Sequence, residues 1–126
     1  MPMNIREINN NLDKFINDKN IVLQTARQII KDFGLFGLEI TFSGEIPDAY
    51  NELHSQLTKH LDTLTLNSDE RLFALLYHID IDERFFKSDT GILIESESVN
   101  TYLADLIIKR ELTKVVLRIH FSNQQE

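Results

Sequence analysis

SVNTYLADLIIKRELTKVVLRIHF, residues 98–121, is the stretch that decides the fold. On a helical wheel it is apolar twice. Val99, Tyr102, Leu103, Leu106 and Leu117 gather on one side. Ile108, Leu112, Val115 and Ile119 gather on the other, about 180° away. A polar strip with Asn100, Glu111, Lys114 and Arg118 runs between them. A helix of this kind is either central in its own bundle or divided between its own chain and a partner. With Ser98 as a cap, the spacing predicts a helix over 99–121, followed by a frayed polar tail.

Four further helical patterns lie upstream. Leu72, Leu75, Leu76 and Ile79 share one face of a segment at 69–79, capped by Ser68 and flanked by the aromatic pair Phe73 and Tyr77. Asp80-Ile81-Asp82 breaks it, and a short extension to 87 returns Phe85 and Phe86 to the core. Residues 88–98 form a polar, acidic connection. Pro47 and Asp48 suit the first turn of a helix at 47–66, with the stripe Tyr50, Leu53, Leu57, Leu61 and Leu64. A helix at 21–33 carries Leu23, Ala26, Ile30 and Phe33, with Gly34 as its expected left-handed closing residue. The first helix, at 4–17, carries Ile5, Ile8, Leu12, Phe15 and Ile16.

One stretch has a different period. Leu38, Ile40 and Phe42 alternate with Glu39, Thr41 and Ser43, which is strand spacing. A lone strand cannot satisfy its own backbone, and the only mate in the sequence is 92–94. An isolated two-stranded pair, 38–42 with 92–94, therefore competes with an apolar loop laid across the bundle; both rank ahead of a larger sheet. The expectation is an all-α, compact bundle of about five helices forming a single helical domain over 1–126. Ordering a backbone residue costs about 1–2 kcal/mol and burying a large apolar side chain returns about 1.5–3, so each stripe is stable only against the others.

Composition narrows the function classes. The 126-residue chain has the length of one ordinary domain, and its 42% hydrophobic content is enough for a core. It contains no cysteine, which removes disulfides, thiolate-bound zinc and a thiol nucleophile together. Residues 1–66 hold 6 Lys/Arg against 9 Asp/Glu, and residues 67–126 hold 7 against 11, so the net charge of −7 is spread along the chain. Such acidity disfavours nucleic-acid binding, and Glu111 interrupts the one basic cluster, Lys109, Arg110, Lys114 and Arg118. No apolar run approaches the about 18 residues that a membrane span requires. Met1-Pro2-Met3-Asn4 lacks the pattern of a secretory leader, and the expected location is cytoplasmic.

The candidate sites are modest. His54 and His60 stand about 120° apart on their helix, which does not chelate a metal. His78, Asp80 and Asp82 form a superficially attractive string, but caps and solvated acidic turns are commoner, and no metal or cofactor is expected. His120 is explained by the negative end of its helix. No phosphate loop or nucleophile elbow occurs. Two functions remain. The first is a protein–protein interaction or structural module, with a protein partner or as a homodimer, whose association face is Ile108, Leu112, Val115 and Ile119. The second, ranked behind it, is a small-molecule-binding or enzymatic bundle with an inter-helix pocket lined by His60, Phe85, Phe86 and Arg110. Arg110 is explained as readily by a snorkelling stem or an ion pair with the acidic segment from Asp80 onward. Far-ultraviolet circular dichroism should show helix in well over half of the residues, and a major sheet component would overturn the bundle.

Overall fold

Helix starts and stops follow side chains that satisfy backbone groups the helix itself leaves unpaired. The computed structural model describes residues 15, 18–81 and 98–124. Among them are four α-helices, one 3-10 turn and no strand. Helix α1, Lys19–Gly34, begins at Asp18, whose side chain accepts from the Ile21 amide at 3.1 Å. A 3-10 turn, Ile46–Asp48, with Pro47 at its start, leads into α2, Ala49–Asn67. Helix α3, Asp69–Ile79, begins at Ser68, whose hydroxyl accepts from the Arg71 amide. Helix α4 runs over Ser98–Gln124.

The ends of α1 and α3 correct two expectations. Gly34 is the last residue of α1 rather than its left-handed closure. The left-handed residue there is Gly37, at φ 74°, between Phe36 and Leu38, whose amides both donate to the Phe33 carbonyl. Asp80 does break the chain as expected, but not as an N-cap. It adopts φ 73° and closes α3 with a paired-bond motif: its own amide donates to Tyr77 O and that of Ile81 donates to Leu76 O. Asp tolerates this conformation better than most residues with a Cβ.

Helix α4 packs chiefly on α1 and α2, antiparallel to both. Gln24 and Gln28 of α1 meet Arg118, while Tyr50 meets Asp105 and Asp62 meets Asn100 between α2 and α4. The main core joins Ala26, Ile29 and Phe33 of α1, the Leu53–Leu57–Leu61–Leu64 stripe of α2, Leu72, Leu75, Leu76 and Ile79 of α3, and Leu103, Ala104, Ile107 and Ile108 of α4. A smaller second cluster holds Ile21, Leu112, Val115 and Val116, with Phe15, Leu117 and Ile119 against it. The α1 stripe is rotated from the expected one, for Leu23 and Ile30 lie at its edge and Val22 and Ile29 at its centre. The expected helices at 4–17, apart from Phe15, and in the extension to 87 lie outside the described residues.

The alternating segment is no strand. Leu38 and Ile40 are buried and Phe42 half-buried, so the two-residue period is present, and the apolar loop is the form it takes. Its expected mate, 92–94, lies outside the described residues. The backbone groups are met instead by side chains of α2. Gln56 accepts from the Thr41 amide at 2.9 Å and donates to the Thr41 carbonyl at 2.8 Å. Glu52 accepts from the Ser43 amide and hydroxyl at 2.8 and 2.7 Å, and His60 Nε2 donates to the Glu39 carbonyl at 2.8 Å. Four helical residues advance about 6.0 Å and two extended residues about 6.6 Å, so the residues at 52, 56 and 60 match those at 43, 41 and 39 in register. Arg71 donates to the Phe36 carbonyl at the near end.

Gln56→Ala should lower the unfolding free energy by about 1–2 kcal/mol, the net value of one or two amide bonds. It should also release the Thr41 amide to hydrogen exchange. Urea unfolding and amide exchange together check this. Unchanged protection at Thr41 would mean that burial of Leu38 and Ile40 alone holds the segment.

Candidate functional site

An acidic residue in the middle of an apolar stripe must find a partner or give up its charge. Two such residues face each other here. Asp32 lies on the buried face of α1 between Ile29 and Phe33, and Glu111 on α4 between Ile108 and Leu112. Glu111 is 0% exposed. Asp32 is well supplied with donors. Gln28 Nε2, one turn earlier, lies 3.1 Å from both its oxygens, and His78 Nε2 of α3 lies 3.2 Å from Oδ1. The Gln28 carbonyl in turn accepts from Arg118 Nη1 at 3.2 Å, so the amide links a cation to the carboxylate. The His78 ring, 41% exposed in its side chain, meets Phe36 edge-on at 5.7 Å between centroids.

Glu111 has no such supply. Neither of its oxygens receives an aligned hydrogen bond, although Lys114 Nζ comes within 3.1 Å of Oε1 as an ion-pair contact. An ionised carboxylate can only accept, and two of them side by side would leave each other unsatisfied. A proton on Glu111 resolves this, because the neutral acid donates to Asp32. Burial, then the hydrogen bond with Asp32, push the Glu111 carboxyl up to about 8 against the smaller opposing effect of Lys114. Burial also works to raise Asp32, but hydrogen bonds from Glu111, Gln28 and His78 outweigh it and hold that carboxyl below its ordinary value. The pair at neutral pH is one acid and one carboxylate sharing one proton. It can store and release a proton; both carboxyls are buried, and the neighbouring His78 is partly open to water.

The residues expected from sequence to form sites are placed elsewhere. Ile108, Leu112 and Val115 are buried within this chain, and Ile119 is half-buried against the second cluster. Ile21 and Phe15 cover that stripe, so it has little surface left for another molecule. His60 is tied to the Glu39 carbonyl beside Phe33, and Arg110 Nη2 to Asp80 Oδ2 at 2.7 Å. Each has a partner of its own, and no contact joins the two; Phe85 and Phe86 lie outside the described residues. His54 stacks on Tyr50 and bonds the Thr101 carbonyl at 2.8 Å, beside a Tyr50–Asp105–Lys109 chain that ties α2 to α4. His78 and Asp80 turn to different partners, Asp32 and Arg110. Among the described residues no group of three or more His, Asp or Glu side chains is arranged to hold a metal ion. No described helix is long and apolar enough to cross a membrane.

On the helical wheel Glu111 belongs to the polar strip of α4, and Asp32 carries no motif of its own. The available signal was an Asp on the apolar face of α1, four residues from Gln28, and a Glu flanked by Ile108 and Leu112. Comparison of the chain with protein-family models, with curated proteins and with solved structures returns no match.

The acid pair sets an unusual pH profile. Glu111 has a folded pKa near 8 against an ordinary 4.5, so its contribution is complete below 4.5, shrinks as pH rises to about 8 and is flat beyond. Asp32 and Asp105, both lowered, contribute above the ordinary Asp value and lose that contribution on acidification. Stability should therefore peak at about pH 4–5 and decline by up to about 1.4 kcal/mol per pH unit towards neutrality. Glu111→Gln keeps a donor for Asp32 and should remove the decline, leaving the variant more stable than the parent at pH 8. Urea melts across pH check both; a parent whose stability is level from pH 5 to 8 would refute the shared proton.

Proposed function

We propose that this chain is a small helical protein–protein interaction module, acting in the cytoplasm, and that the outer face of α3 is its contact surface. The observation that carries this is Tyr77, 80% exposed on α3. Single exposed apolar side chains are ordinary, but tyrosine is enriched where binding energy is concentrated, because it combines a large apolar ring with a polar tip. Ala74, small and exposed one turn before Tyr77, leaves room for a partner's side chain. The other side of α3 is fully engaged in the main core through Leu75, Leu76 and Ile79, so this helix holds Tyr77 on a fixed base.

The contact face thus moves from the α4 stripe expected from sequence to α3. A second copy of the chain is the partner of choice. Two α3 helices crossing antiparallel bring opposite ends of their dipoles together and pair the same face with itself. The pocket function has less support, since His60 and Arg110 are committed to separate partners.

Light scattering during size-exclusion chromatography should show the parent associating as protein rises to about 1 mM, the range that an association worth about 4 kcal/mol requires. Tyr77→Ser should be a helical, folded monomer under the same conditions. A parent that stays monomeric, or a Tyr77→Ser variant that associates equally, overturns the proposal.

A further inference from the structure

The acid pair lies at a boundary. On α4 it separates Ile108, the last main-core residue, from Leu112, the first residue of the second cluster. Beyond it, the outer halves of α4 and α1 meet through the second cluster, in which Ile21, Leu112, Val115 and Val116 are buried and Phe15, Leu117 and Ile119 pack against them, and through the exposed contacts of Arg118 with Gln24 and Gln28. Among the described residues this cluster buries fewer apolar groups than the main core, so the seam opens at lower cost than the core. We propose that this seam is a proton-operated latch: one proton shared by Asp32 and Glu111 holds the outer halves of α1 and α4 together, and its loss lets them part while the main core stays closed.

The groups facing the latch explain why the proton matters. From α1 come Asp32 and, through Gln28, the link to Arg118; from α3 comes His78 on the far side of Asp32; from α4 itself come Lys114 and Arg118. No titratable group of α2 acts on Glu111 among the described residues. One lysine contact and no aligned donor therefore remain to stabilise Glu111 as an anion beside the Asp32 carboxylate. Opening brings water to both carboxylates, so the closed state releases its proton least readily. Alkaline conditions favour the open seam by mass action on that one proton.

Native-state hydrogen exchange on the full chain, read residue by residue by NMR at several pH values and at low denaturant, tests this. After correction for intrinsic rates, protection at Val115, Val116 and Thr25 should fall about tenfold per pH unit between about pH 5.5 and 7.5. It should depend little on denaturant, as a small opening does, whereas Leu57 and Leu61 of α2 should be better protected and show the full denaturant dependence of unfolding. Glu111→Gln should hold seam protection constant across this range. Asp32→Asn should also remove the slope, because its amide can donate to an ionised Glu111. Two results overturn the proposal: seam amides that exchange only with the α2 amides, through global unfolding, or seam protection in the parent that ignores pH. Should either variant fail to fold, carbon-13 titration of the Glu111 carboxyl in the parent decides. A midpoint well above that of an ordinary glutamate is expected, and an ordinary one overturns the latch.

Discussion

Burial of α4 on two sides is the constraint on which the remaining structure depends. One face of this helix enters the core formed with α2 and α3, and the other is covered by α1 and Phe15. The polar strip between them reaches solvent at Asn100, Lys114 and Arg118 to differing degrees, but at Glu111 it does not reach solvent at all. A carboxylate there would face a desolvation cost that one lysine at the edge cannot offset. The chain meets this by setting a second carboxyl opposite and letting the two share a proton. Polar residues at the margin of α1 follow from the same need. Gln28 bridges Arg118 to Asp32, and His78 approaches from α3, so three helices converge on one charge.

Hydrogen-bond supply also governs the connection from α1 to α2. Leu38 and Ile40 insert into the core, which commits the backbone between them to an extended form with no neighbouring strand among the described residues. Glu52, Gln56 and His60 occupy the side of α2 facing this segment and take the place of a strand's amides and carbonyls. The near equality of four helical and two extended steps makes this possible without distorting either element. His60, which a search for metal ligands would single out, is thus explained by a backbone carbonyl. Its bonded nitrogen must carry the proton, since the carbonyl can only accept.

Helix α3 shows the opposite economy. It is the shortest described α-helix, held by Ser68 at one end and by the left-handed Asp80 at the other, and it spends four apolar residues on the core. Tyr77 on its outer side lies outside that core and is 80% exposed, which is why the proposed contact is placed there. Meanwhile Asp80 performs two tasks, closing α3 with its backbone and holding Arg110 of α4 with its side chain.

Local sequence alone determined the helical class, the approximate positions of the four described helices and most of the core they form. Apolar periods of three to four residues placed α2 and α3 closely, Ser68 and Pro47 marked their starts, and the doubly apolar wheel of α4 left open whether it was central or shared with a partner. These features are legible because helix periodicity and capping act over a few residues. What covers a face is decided by elements distant in the chain, and there sequence was silent. It could not show that Ile21 and Phe15 cover the Val115 stripe, that the alternating segment would bond to helix side chains rather than to a strand, or that Gly37 rather than Gly34 would take the left-handed turn. Nor could it show that Asp32 and Glu111, 79 positions apart, would meet. Each lies beside apolar residues of its own helix, but nothing within either helix says that the two come together. Only the approach of α1 to α4 removes the water between them, and with it the charge on one of the pair.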